Sequence, residues 1–246
     1  MITQDIFSDE NAYVKRSNQV SATTGAWLNE KISEILTHRG LEHPFLNQYA
    51  KLGLPESKSR LLYLETLHYF KHLPFYVCAI STLTRDENIL RAICFNARDE
   101  LGENRSHADL YLDFLFKKGI SPDVVSAYQC LPSTKALNDG ICALYSTPPL
   151  QKALGALFAD ETMSAAMVAK YNAGLIKEGL NEADRRFWTL HMEVEVGHSN
   201  AIFNIIQPHL QTPEELNDFS EGIDQYMHLM EMFWNGVDTF INKIRN

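Results

Sequence analysis

The stretch 187–200, FWTLHMEVEVGHSN, sets two histidines and two glutamates within eight positions of an otherwise apolar run. A helix brings residues four and seven positions apart onto one face, so His191, Glu195 and His198 fall on a single line. That line reads Trp188, His191, Glu195, His198, Ile202, Ile205, with polar groups in the middle of a row whose ends are apolar. Burying imidazoles and carboxylates without partners is costly, and the stretch offers no Lys or Arg to pair with them. A divalent cation satisfies all three groups together, because neutral imidazole and carboxylate are ligands for transition metals.

Other segments aim comparable groups inward. LLYLETLHYF places Glu65 among apolar residues, and ALGALFADETMSAAM places Glu161 after an apolar run. ARDELGENRSHADLY spaces Glu100 and His107 seven apart, two turns along one helical face. Four helices that each direct a carboxylate inward, with histidines added, make the ligand inventory of a non-haem di-iron site in a helical bundle. A ferritin-like site requires the order Glu, Glu-x-x-His, Glu, Glu-x-x-His. Here Glu65-Thr-Leu-His68 comes first and Glu195-Val-Gly-His198 last, with two lone glutamates between. That order does not close a ferritin-type site, so His68 is read as a half-buried polar residue.

The elements that must hold these groups are all helical. The 246 residues are 45% hydrophobic with only 12 Gly and 9 Pro, and strand-like alternation is hard to find. TTGAWLNEKISEILTHRG predicts a helix with Trp27, Ile32, Ile35 and Leu36 on its stripe and Gly40 as its stop. Ser57 is expected to cap the helix carrying Glu65, which Pro74 then breaks. Asp86 caps a long helix carrying Glu100 and His107, distorted locally at Gly102. Pro122, Pro132, Pro148 and Pro149 leave only short helices between 121 and 149. The next helix carries Glu161 and ends at Gly179. Asn181 caps the helix of His191, and Thr212 with Pro213 opens the last one. Tyr226, Met227, Met230, Met232, Phe233 and Trp234 form its core stripe, with apolar width to spare for a homodimer interface. The expected architecture is all-α, about seven helices in one domain over 21–246, preceded by a polar arm at 1–20.

Composition excludes several classes of function. A net charge of −9 with no Lys/Arg run longer than two residues argues against nucleic-acid binding. No apolar run approaches the roughly 18 residues of a membrane span, and the first 20 residues lack the apolar stretch of a signal peptide. Cys78, Cys94, Cys130 and Cys142 lack CxxC spacing and are expected to be small buried hydrophobes in a reducing, cytoplasmic setting.

DELGENRSHADLY, ALGALFADETMSAA and FWTLHMEVEVGHSNA resemble three signature regions of the haem-oxygenase-like di-iron oxidases and oxygenases. Within that family the chain is similar to the branch containing the chlamydial protein associating with death domains. The family pattern is a Glu, then Glu-x6-His, a further Glu, and His-x3-Asp-x2-His. Over residues 57–205 it corresponds to Glu65, to Glu100 with His107, to Glu161, and to His191 with Glu195 and His198. Glu195 departs from the usual Asp and reaches one methylene further. The resemblance implies a haem-oxygenase-like (TenA/PqqC-like) bundle with two Fe(II) per chain, manganese being the alternative. It also implies O2 and a small amino-acid- or fatty-acid-like molecule as substrates. Members of the named branch make para-aminobenzoate by consuming one of their own tyrosines. Tyr69 and Tyr111, four residues beyond Glu65 and His107, share the ligand face, whereas Lys170, nine beyond Glu161, points to the opposite side. Two further alternatives exist within the fold. A metal-free enzyme would use Cys78 or Cys94, neither of which has a base beside it in sequence. A protein-interaction module would have little use for seven inward acids and histidines.

Overall fold

Prolines and side-chain caps set most of the helix starts. The computed structural model describes residues 24–192 and 205–244, and within them all regular structure is helical. Helix α1 covers 24–37, α2 Pro44–Leu52, α3 Glu56–Phe70, α4 Leu73–Ala79, α5 Glu87–Leu101 and α6 His107–Lys117. There follow α7 Pro122–Ala127, α8 Pro132–Ser146, α9 Leu150–Lys177, α10 at 186–192 and α11 Pro213–Ile241. Asp86 caps α5 by accepting from the Asn88 and Ile89 N–H groups. Reciprocal capping boxes open α6 (Ser106 with Asp109) and α11 (Thr212 with Glu215, Pro213 following the cap). Helix α3 differs from expectation, since Pro55 rather than Ser57 occupies its cap position.

The long helices α9 and α11 pack along each other and form the frame. Where they pack, a Cβ on Gly155 would lie 2.0 Å from the Phe219 carbonyl oxygen, so glycine is required there. Leu154, Phe158 and Met163 of α9 meet Phe219, Tyr226, Met230, Phe233 and Trp234 of α11 in one buried cluster. Each such side chain contributes about 1.5–3 kcal/mol on burial. The core stripe expected on the last helix is therefore realised, except that Met232 is 40% exposed.

The all-α architecture is as expected, but the chain is divided into more segments than about seven. It turns at Lys71 and His72, just ahead of Pro74, which separates α4 from α3. Gly102, at φ +60°, ends α5 and splits the predicted long helix in two. The cysteines also depart from expectation: Cys78, Cys94 and Cys142 are exposed, Cys130 is half-buried, and all four are free. Their sequence neighbours Val77, Ile93 and Ile141 are the buried ones. One step along a helix turns about 100°, so an apolar neighbourhood in sequence does not bury every member. Among the described residues no helix is long and apolar enough to cross a membrane. The polar arm at 1–20 lies outside the described residues.

At Gly102 the left-handed backbone coincides with a close approach, because a Cβ there would fall 2.1 Å from the Arg105 carbonyl oxygen. Gly102→Ala should lower stability by about 1–3 kcal/mol from the positive-φ backbone alone, measured by urea unfolding. Unfolding identical to wild type would show that this turn tolerates a side chain.

Candidate metal centre

Three helices bring the first group of side chains together. Glu100 is the penultimate residue of α5, His107 the first of α6, and His191 lies on α10. Glu100 and His107 therefore do not share one helical face. They meet because the Gly102 turn and the Ser106 cap fold α6 back, placing Glu100 Oε2 3.2 Å from His107 Nδ1. His191 Nδ1 lies 2.6 Å from the Phe187 carbonyl oxygen one turn earlier. A carbonyl only accepts, so Nδ1 carries the proton and Nε2 presents a lone pair. That lone pair lies 3.0 Å from His107 Nδ1, which must be the donor. One ligand atom from each of Glu100, His107 and His191 lies within 4.8 Å of the others.

The electrostatics reflect this geometry. Burial works against a charged His107, but the hydrogen bond and charge of Glu100 outweigh it and raise the His107 pKa. Burial, and then the charge of His107, lowers that of His191 against the pull of the Phe187 carbonyl. The two shifts run in opposite directions and favour a proton on His107 over one on His191. Carboxylate oxygen and imidazole nitrogen are a donor set suited to iron or manganese. A hydrogen bond from a ligand imidazole to a backbone carbonyl is a common way of orienting it.

Helix α9 forms the facing wall with two adjacent buried carboxylates, Asp160 and Glu161. Asn96, one turn before Glu100 on α5, donates to Glu161 Oε1. Asp160 accepts from the Tyr226 hydroxyl, and at 3.4 Å from those of Tyr69 and Tyr145. Burial raises the Asp160 pKa to about 6 against the lowering effect of Tyr226, with the nearby charge of Glu100 adding to the rise. Glu100, Asp160, Glu161 and His191 line one cavity of about 80 Å³, walled otherwise mainly by apolar side chains such as Phe70, Val77 and Val168.

The structure therefore gathers Glu100, His107 and His191, with Glu161 on the same cavity. Glu195 and His198 lie outside the described residues. Glu65 is a correction, for it is fully buried but committed elsewhere. It accepts from the hydroxyls of Tyr128 and Thr134, and from the Leu131 N–H at 3.0 Å. Leu131 is the cap residue of α8, so Glu65 serves as the anion at that helix's N-terminus. Burial raises its pKa while these donors oppose the shift. His68 sits against the Tyr128 ring at 5.6 Å, and burial, then Lys71, lowers its pKa to about 4. Tyr69 lines the cavity. Tyr111 is buried away from it and donates to the Tyr63 carbonyl oxygen at 3.1 Å. Lys170 is held at the α1–α2 turn by Leu41, Glu42 and Asn47, away from the cavity as its helical offset predicts. Asp160 was not anticipated. Its signal is a second carboxylate beside Glu161 in an apolar run.

A family model described as an iron-containing redox enzyme, haem-oxygenase-like, matches residues 60–231. The chain is 44% identical over 211 residues to the 4-chloro-allylglycine synthase of Streptantibioticus cattleyicolor, covering 86% of this chain and 82% of that protein. It is 26% identical to a 4-aminobenzoate synthase of Chlamydia muridarum, over 65% of this chain and 68% of the other. A CADD-like protein of unknown function from Nostoc punctiforme superposes with a TM-score of 0.76 at 16% identity, over 88% of this chain and 97% of that one. A TenA homologue from Pseudomonas syringae does so at 0.67 and 15% identity, over 85% and 92%. With most of its length matched by the family model and a relative of this identity, the chain belongs to the haem-oxygenase-like family of iron-containing redox enzymes.

Proposed function

We propose that the protein is a di-iron, O2-dependent oxidase or oxygenase of a small aliphatic amino acid. In this reading Glu100, His107, Glu161 and His191 are ligands, completed by Glu195 and His198. The observation that carries it is the convergence of Glu100, His107 and His191 to within 4.8 Å, with the His191 tautomer fixed by the Phe187 carbonyl. Bound ferrous iron would supply electrons to dioxygen and so make dioxygen the oxidant of the substrate. The chain supplies the rest. Phe187 orients His191, Asn96 orients Glu161, and the Gly102 turn sets Glu100 against His107. Apolar walls keep bulk water from the reacting atoms. A compact cavity of about 80 Å³ favours a short amino acid over a long acyl chain. The name of the 44% identical relative, which makes a substituted allylglycine, points the same way.

A second reading has one observation in its favour. The 4-aminobenzoate synthases among the relatives suggest a chain that consumes its own tyrosine, and Tyr69 lines the cavity. Intact-mass measurement after aerobic incubation with iron separates the two. Catalysis on an external substrate leaves the mass unchanged, whereas self-consumption removes mass at Tyr69.

Anaerobic titration of the metal-free protein should bind about two Fe(II) per chain. His191→Ala should weaken that binding by about tenfold or more without loss of helical circular dichroism. Unchanged iron affinity in this variant would sink the assignment. The raised pKa of His107 fixes the direction of the pH dependence. A ligand imidazole must shed its proton, so iron affinity should fall as pH is lowered through the His107 titration, read in the same assay at about pH 8 and about pH 6.

A further inference from the structure

Asp160 faces the cavity beside Glu100, Glu161 and His191, yet its hydrogen-bond partners are neutral. Tyr226 donates to it, Tyr145 approaches at 3.4 Å, and Tyr69 lies 3.4 Å from it and 2.9 Å from the Tyr226 hydroxyl; tyrosine hydroxyls steady a carboxylate without cancelling its charge. Tyr226 and Tyr69 both approach Oδ1, while Oδ2 receives the single 3.4 Å contact from Tyr145 and retains acceptor capacity. A buried carboxylate without a counter-charge is expensive.

Trp188 also lines this cavity and is 3% exposed. Phe70, Leu73, Val77 and Val168 supply apolar wall beside Asp160.

We propose that Asp160 binds the ammonium group of the substrate, with the substrate's aliphatic chain against these walls. Asp160 is then a specificity-determining residue. It favours short aliphatic amines and amino acids, and it repels simple carboxylic acids by placing like charge opposite like charge. The inference rests on the proposed reading of this cavity as the substrate site. It does not depend on the metal count.

The test uses full-length protein loaded anaerobically with Fe(II), its iron content measured in the same sample. Calorimetric titration compares pentylamine, pentan-1-ol and pentanoate, three probes of similar shape and different charge. Wild type should bind pentylamine at least about tenfold more tightly than pentan-1-ol and pentanoate most weakly. Asp160→Asn, which keeps the shape and removes the charge, should bring pentylamine to the level of pentan-1-ol and leave the alcohol unchanged. A wild type that does not prefer the amine overturns the proposal whether or not the variant folds, and so does a folded variant that keeps the preference. Amine preference in protein that refuses iron would support the Asp160 assignment and count against the di-iron reading.

Discussion

The hydrogen bonds joining Glu100, His107 and His191 are the constraint on which the rest of the site depends. Three atoms that each hold a lone pair when deprotonated converge in a half-buried space, and His107 Nδ1–H lies between the other two. The surrounding structure serves this convergence at backbone level. The Phe187 carbonyl dictates which nitrogen of His191 is bare. The left-handed Gly102 and the Ser106 capping box dictate where α6 starts and so where His107 stands. These devices use main-chain atoms and a short turn, which hold position more tightly than long side chains can.

Much of the frame was legible because helix starts depend on local chemistry. Asp86, Thr212 and Pro213 act where their hydrogen-bonding capacity and fixed φ require. The seven-residue spacing of Glu100 and His107 identified a true pair through the wrong geometry. A continuous helix would have set them two turns apart along one face, whereas a break at Gly102 brings them into contact. Gly102 was visible as an irregularity. Its consequence was not, since the direction in which a chain leaves a left-handed residue depends on what the next helix packs against.

Glu65 and the cysteines show where periodicity stops informing. Periodicity states that a side chain points inward. It does not state toward which partner, because the donors that hold Glu65 come from 63 to 69 residues further along the chain. Val77, Ile93 and Ile141 drew their neighbouring cysteines into an apolar reading, although the adjacent position on a helix faces elsewhere. The family signature was more informative than any single face, since its spacings carry the result of such long-range packing without requiring it to be derived.

Asp160 and Glu161 show how finely a helix can divide one kind of chemistry. They are consecutive, both buried, and of the same type, yet the turn of about 100° between them gives them different company. Glu161 meets Asn96 beside Glu100, while Asp160 meets three tyrosines from α3, α8 and α11. An amide side chain orients a carboxylate and leaves it lone pairs for a cation. A tyrosine cage fixes a carboxylate's position and leaves its charge uncancelled. Environment therefore divides one pair of acids between two tasks, as it divides acid from base in enzymes that use two carboxylates. On this helix the division places the proposed metal ligand and the proposed substrate anchor one residue apart, so the substrate's position relative to the metal is set by the rigid geometry of α9 and not by a mobile loop.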